Sequence, residues 1–532
     1  MSPGPAGRPA LGPEGDGPDG DEAFVLAVDL GTGGPKVAVV STTGRIVAHA
    51  TEPVGLRLLP DGGAEQDPDE WWSAIGAASR RALDRAGPVG PRLIGVGCTA
   101  QWSGTVAVGA DDRPLMPAVI WMDSRGNKAI RRVAGGAVNV LGYDPRKILR
   151  WVQVTGGAPG LSGKDPVSHI LFIRDAFPDV YRRTEVFLEP VDYLNLRLTG
   201  RRSASFDTVA AHWVTDNRRI DHVDYDRRLL EVTGLDRGRL PDLVAPGTVV
   251  GAVTAEAAGH LGVPAGLPVS VGSGDVHSAV FGSGAVADFD AHLYIGTSSW
   301  ISAHVPFKRT APTSNVASIP AALAGRYVIV DEHETAGACL TFLRDTLGFA
   351  ADFEGLNAMV DTVAPGSGRV LFTPWLNGER SPVDDHTIRG GFHNLSLATT
   401  RAQMVRAVYE GVAFNSRWLL DAVEKFAGRR LGSLAFIGGG ANSDQWAQIH
   451  ADVLDREIRQ VADPVLANVR GAALIALVAL GRITVDQVPD MVEVRRTFRP
   501  DRSRASEYDL LFEQFVDLYK QTKGIHRRLN TF

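Results

Sequence analysis

The run Val28-Asp29-Leu30-Gly31-Thr32-Gly33-Gly34-Pro35-Lys36 is answered far downstream by Leu293-Tyr294-Ile295-Gly296-Thr297-Ser298-Ser299-Trp300. In each, an apolar strand-like segment meets a Gly-Thr turn rich in small residues. Such a turn presents backbone N–H groups and a hydroxyl, which together hold a phosphate. One copy in each half predicts a duplicated architecture closing on a nucleotide. Around the first copy, residues 24–28, 36–40 and 45–50 read as a β-meander. A Walker-type loop runs instead from strand to helix and ends in Gly-Lys-Ser/Thr, so the P-loop class is disfavoured.

Working outward, residues 67–86 read as a helix, with Pro68 suited to its first turn. Residues 93–98, 118–122 and 267–271 read as strands, and 140–250 as mixed, helical insertions. The second half restarts near Asp288. It continues with a strand at 327–330, a helix at 401–426, a strand at 434–437 and a helix at 446–454. Val405, Val408, Val412, Leu419 and Val423 give the long helix its period. This alternation predicts an α/β chain. The expected spans are a disordered tail over 1–22, an N-terminal domain over 23–286, a C-terminal domain over 287–485 and a polar helical extension over 486–532. Residues 507–520 are the clearest helix of that extension, and the domain boundary is expected within 284–290.

The chain has 532 residues, enough for two domains with full cores. A net charge of -6 gives no reason to expect a nucleic-acid partner. The two cysteines, Cys98 and Cys339, exclude a zinc or disulfide framework and fit a reducing cytoplasm. No apolar run reaches the roughly 20 residues that a membrane span needs. The first 22 residues are acidic and Pro/Gly-rich, without the apolar core of a signal peptide.

Six motifs occur in order: Asp29-Leu30-Gly31-Thr32, Trp121-Met122-Asp123-Ser124-Arg125, Gly272-Ser273-Gly274-Asp275, Gly296-Thr297-Ser298, Asn377-Gly378-Glu379-Arg380-Ser381-Pro382 and Gly438-Gly439-Gly440-Ala441-Asn442-Ser443. The set resembles the FGGY family of carbohydrate kinases, within the actin–hexokinase–heat-shock ATPase superfamily, over residues 24–485. Within it, residues 372–382 and 438–454 are most similar to the xylulose kinases. The resemblance implies two ribonuclease-H-like domains around a central cleft, with ATP, Mg²⁺ and a small sugar as ligands. A homodimer is common in that family; the sequence itself fixes no oligomeric state.

By that resemblance Asp29 holds Mg²⁺, an ion that needs only one or two carboxylates because it keeps several waters. Its alternative is a turn aspartate bonding nearby backbone. Gly31, Thr32 and Gly33, with Gly34, form the first phosphate loop, and Lys36 adds a point charge near the γ-phosphate. Pro35 lacks an N–H and so withholds one donor. Gly296, Thr297 and Ser298 meet the β- and γ-phosphates from the other domain. Gly439, Gly440, Ala441 and Asn442 pass close to the adenosine, unless the glycines merely turn a strand into a helix. Asp275 matches the family's general base, which accepts the proton of the sugar hydroxyl. Helix N-capping is its alternative.

The acceptor site departs from the xylulose kinase pattern. Where those enzymes carry Gln-Met-His-Gly, this chain has Gln101-Trp102-Ser103-Gly104. Trp102 offers an apolar face and one N–H, suited to a pyranose or a deoxygenated face. Ser103 leaves room for a larger substituent, and Asp123 is a candidate hydroxyl acceptor. His277 and His333 are further candidates near strand ends. Glu379 and Arg380 read as a structural pair, and Glu410 and Arg417 as a solvated or interdomain helix face. The expected reaction is phosphorylation of a ketopentose such as D-xylulose. The rivals are a kinase of the same family for another polyol, hexulose or sugar acid, a non-catalytic regulator, and an actin-like or chaperone ATPase.

Overall fold

Strand β1 (Phe24–Gly31) opens a seven-stranded sheet in a computed structural model that describes residues 22–530. The expected tail lies outside the described residues except for Glu22. β1 turns antiparallel into β2 (Gly34–Ser41), which turns into β3 (Ile46–Thr51). On its other side β1 runs parallel to β4 (Leu93–Ala100). An edge strand, β5 (Val249–Ala252), pairs antiparallel with β6 (Pro268–Ser270), and β6 is parallel to β4. Helix α1 (Pro68–Ala86), capped by Asp67 and started by Pro68, covers the meander with Trp71, Ile75 and Ala78.

The second sheet repeats this order. β7 (Ala291–Ile295) is antiparallel to β8 (Ser299–Val305), which is antiparallel to β9 (Tyr327–Val330). β7 runs parallel to β10 (Leu434–Ile437), β10 to β11 (Ile458–Val461), and β12 (Val494–Phe498) closes the edge antiparallel. Both sheets are therefore meanders extended by two parallel strands and one antiparallel edge. That shared topology bears out the expected duplication. The stretch 284–290 falls between the two sheets.

The lobes are stitched by two helices. α2 (Asp275–Gly282) leaves the first sheet and touches β7 and β8 of the second, whereas α3 (Ala467–Ala479) leaves the second and packs on β1 and β4 of the first. They cross so closely that a Cβ on Gly471 would stand 1.8 Å from the Ser278 carbonyl oxygen. Around this crossing Val25, Ala27, Ala38 and Val40 of one sheet share a core with Ala435 and Ile437 of the other.

Two expectations change. Only Ala118–Val119 of the segment 118–122 is strand. The C-terminal extension is no appendage: β12 completes the second sheet, and the helix Ala505–Asn530 buries Tyr508, Leu511 and Phe515 in the second core. Residues 140–250 are helices separated by short strands, as expected in kind. Among the described residues no helix is long and apolar enough to cross a membrane. Cys98 and Cys339 are buried and free.

Candidate active site

Strand alternation builds the first half of the site. Val25, Ala27 and Asp29 point to the interlobe face of β1, as do Val40, Ala38 and Lys36 on β2. Where the strands emerge from the interlobe core, the apolar pairs give way to an ion pair, Lys36 Nζ to Asp29 Oδ2 at 3.2 Å, with Asp29 2% exposed. The Asp29 charge, outweighing the cost of burial, raises the Lys36 pKa, and Asp275 adds to the effect. Asp275 is the first residue of α2. Gly274 takes the cap position, so Asp275 does not cap the helix, and its Oδ1 accepts the Val276 N–H at 2.9 Å. Removal from water, then the nearby Asp29 charge, pushes its carboxyl up to about 7. Among the described residues no three metal-ligating side chains gather. A lone Asp29 suits an ion that binds chiefly through phosphate oxygens and water.

The first loop is a two-residue tip, Thr32-Gly33, between paired Gly31 and Gly34. The Thr32 hydroxyl donates to Gln101 Oε1 at 2.9 Å and accepts the Trp121 indole N–H at 3.0 Å. Gln66, absent from the sequence reading, donates to the Thr32 carbonyl and accepts from Gln101 and Trp71. This frame corrects two assignments. Thr32 presents backbone but has its hydroxyl engaged, and Gln101, 2% exposed, has both amide atoms engaged in bracing the loop. Gln66 left no sequence signal, since it stands just before an N-cap. Pro35 costs the loop nothing. Its carbonyl accepts from Glu52 N, so the missing donor also faces the third strand and not the tip.

The second loop, Gly296-Thr297-Ser298, joins β7 to β8, and its carbonyls accept the N–H groups of Ala336, Gly337 and Ala338. Thr297 is exposed, and among the described residues no hydrogen bond engages its hydroxyl or that of Ser298. The Gly438 turn divides unequally. Added Cβ atoms would stand 2.5 Å from the Ile295 carbonyl oxygen at Gly438 and 2.5 Å from the Ile295 side chain at Gly440, but meet nothing at Gly439. Gly438 and Gly440 therefore serve the packing of the turn on β7, whereas Gly439 and Asn442 are exposed. Ala441 is fully buried, with its carbonyl bonded to Gln460, which removes its side chain from ligand contact. Ser443 caps the following helix.

On the acceptor side, the Trp102 ring packs on Gly274 and stands edge-on to His277 at 5.5 Å. Its indole N–H donates to the Thr208 carbonyl at 2.9 Å, so it offers a face and no free donor. Ser103 donates to the Lys164 carbonyl at 3.2 Å. Behind them Glu189 accepts the Gly104 N–H and Asp192 the Thr208 hydroxyl, and burial pushes both carboxyls well up. Asp123 is corrected: it is fully buried, and Arg125 and the Ala64 N–H occupy both its oxygens. His277 and His333 are buried, and His333 pairs with the Ser299 hydroxyl at 2.8 Å.

Glu379 is structural, as expected, but binds the N–H groups of Glu334 and Arg380 and the Asn415 amide. The Arg380 guanidinium instead pairs with Glu332 and Glu334. Glu332 lies near enough to add to the rise in Asp275. Glu410 is corrected from a solvated face: it is 1% exposed and holds Arg406, Tyr508 and Ser367. Arg417 pairs with Asp509 of the C-terminal helix. A cavity of about 580 Å³ lined by Arg309, Trp418, Phe426 and Phe512 contains none of the site residues.

Known proteins match this architecture. The family model described as the FGGY family of carbohydrate kinases, N-terminal domain, matches residues 24–282, and that of the C-terminal domain matches 292–480. A xylulose kinase of Staphylococcus epidermidis is 28% identical over 512 residues, covering 95% of this chain and 98% of its own. A solved structure of a xyloylose kinase from Brucella ovis superposes with a TM-score of 0.84 at 26% identity, covering 94% of this chain and 100% of its own. A gluconate kinase from Lactobacillus acidophilus gives the same TM-score of 0.84 at 21% identity, covering 96% and 100%, so the fold does not select the acceptor.

Proposed function

Because this chain belongs to the FGGY family of carbohydrate kinases, we propose that it transfers the γ-phosphoryl group of ATP to a hydroxyl of a ketopentose of the D-xylulose type, with Asp275 as general base. The observation that carries this reading is the convergence of Asp29, Lys36 and Asp275 where the first sheet meets the second Gly-Thr loop. Asp275, with its carboxyl near 7, is basic enough to take a hydroxyl proton and still about half ionised at neutral pH. Asp29 would hold Mg²⁺, which supplies charge neutralisation at the phosphate oxygens. Lys36 is free to exchange Asp29 for phosphate. Thr297 and Ser298 offer N–H and hydroxyl donors from the opposite lobe, while Gly296, its own N–H held by the Ser298 carbonyl at 2.9 Å, shapes the loop against the β- and γ-phosphates, and Gly439 and Asn442 border the adenosine. Closure of the lobes over the crossing of α2 and α3 would exclude water from the transfer.

A second reading, a neutral hexulose or polyol as acceptor, is favoured by Trp102. Its N–H is internally committed, so the ring presents only a C–H-binding face, and Ser103 leaves space beside it. A coupled ADP-release screen over ketopentoses, hexuloses, polyols and sugar acids decides between them. D-Xylulose should give the highest kcat/KM. A hexulose or polyol exceeding it by tenfold or more would transfer the assignment to the second reading, and tight sugar binding without turnover would refute both.

A further inference from the structure

The shared topology of the two lobes makes their strands comparable residue by residue. In the first lobe Asp29 pairs with Lys36 across the β1–β2 ladder, two residues before the Gly-Thr tip. In the second lobe Tyr294 pairs with Trp300 across β7–β8, two residues before Gly296. The sequences Asp29-Leu30-Gly31-Thr32 and Tyr294-Ile295-Gly296-Thr297 thus occupy equivalent places. Both Asp29 and Tyr294 point to the interlobe side, since Leu293 and Ile295 face the second lobe's own core.

We propose that Tyr294 is the second lobe's counterpart of Asp29, its phenol donating a hydrogen bond to a non-bridging oxygen of the transferring phosphoryl group. This rests on the kinase reading above. The ring is held in place: it stacks on Trp300 at 3.8 Å and 8°, and Trp300 is fixed by its indole N–H to His292 at 3.2 Å. The phenol oxygen lies over the phosphate loop, 2.7 Å from where a Gly296 Cβ would be, so glycine at that position makes room for it. The side chain is half-buried, yet among the described residues its hydroxyl has no hydrogen-bond partner, and it is not sealed from solvent. Burial and the charges of Asp275 and Asp29 keep the phenol protonated, and therefore a donor. A donor at this point faces both carboxylates from across the cleft, where charge accumulates during transfer.

The test is Tyr294→Phe, which keeps the ring and its stack on Trp300 and removes one oxygen. With the preferred acceptor from the screen, kcat should fall about ten- to a hundredfold, with KM for that acceptor unchanged. The melting temperature should match the wild type. Tyr294→Ala, which also loses the stack, should lower both kcat and melting temperature. A Phe variant with wild-type kcat and an Ala variant that loses only stability would reduce Tyr294 to packing and overturn the proposal. Calorimetric titration of the wild type with Mg·ATP alone separates the two levels. Binding and turnover without a defect in the Phe variant sink this inference only, whereas a wild type that binds no Mg·ATP sinks the kinase reading and this inference with it.

Discussion

Replacing Asp275 by asparagine should lower catalysis steeply and stabilise the fold, and the two effects share one cause. On the proposed reading of Asp275 as the base, Asp275→Asn should lose about two to four orders of magnitude in kcat while Mg·ATP binding persists. Because its carboxyl titrates near 7, wild-type kcat/KM should fall on the acid side, to roughly a tenth of its plateau at pH 6. The stability effect has a definite sign. The carboxyl takes up its proton near 3.8 when unfolded and near 7 when folded, so between those values the native state binds more protons. The fold therefore enjoys this contribution below pH 4 and loses it as pH rises to 7. A rise of that size corresponds to about 4 kcal/mol if fully expressed. The side chain is half-buried at a cleft and neighbours Lys36, so ~1–2 kcal/mol is the realistic share. Asparagine never ionises and escapes the cost. Melting curves from pH 4 to 8 should show the variant equal to wild type at the acid end, increasingly more stable as pH rises towards 7, and ahead by a constant margin above it. A variant that keeps turnover, a wild-type acid limb near pH 4, or a stability difference independent of pH would refute the reasoning.

Asp29→Asn removes the charge that helps to raise Asp275, so its residual kcat/KM should show an acid limb at lower pH than wild type; pH–rate profiles of both proteins compare them. Gly438→Ala places a side chain at a φ of +86° and 2.5 Å from the Ile295 carbonyl oxygen, and should cost about 2–4 kcal/mol by chemical denaturation. Gly439→Ala meets no atom within 4 Å, so stability should hold while the KM for ATP rises. Glu410→Ala leaves Arg406 buried without its carboxylate, and should cost about 3–5 kcal/mol in a denaturation curve, with kcat per folded molecule unchanged.

Local pattern exposed most of the fold because period and punctuation agreed along the chain. The helix expected to begin after Asp67 does so, and Thr400 caps the long helix with Gln403 in a reciprocal capping box. Where the reading failed, the deciding partner lay far away in sequence. Trp121 and Asp123 look like the end of a strand, but Trp121 turns to bond Thr32 and Asp123 to hold Arg125. Glu410 looks solvated until Tyr508, from the C-terminal helix, closes over it and Arg406. That helix looks polar because its fully buried residues, Tyr508, Leu511 and Phe515, form a narrow stripe at spacings of three and four, flanked by half-buried Phe512, Val516 and Tyr519.

The candidate site was legible as a set of positions and less so as a set of roles. A polar residue at a strand end has two uses, facing the ligand or bracing what does, and its identity does not distinguish them. Thr32, Gln101 and Asp123 turn out to brace; Asp29, Lys36 and Asp275 face the cleft. The glycines divide in the same way, with Gly438 and Gly440 needed by β7 and Gly439 left open. The duplication supplies a discriminant that residue type lacks. Ladder register sends every second residue of β1 and β7 to the interlobe face, whatever its chemistry. On that rule Asp29 and Tyr294 are equivalent although one is an acid and the other a phenol. On the proposed kinase reading the first lobe brings the charges, Asp29 and Lys36, and the second the neutral donors, Tyr294, Thr297 and Ser298. A neutral donor in place of a second carboxylate adds no further negative charge beside the phosphate chain, so on this reading the cation held by Asp29 has less repulsion to offset.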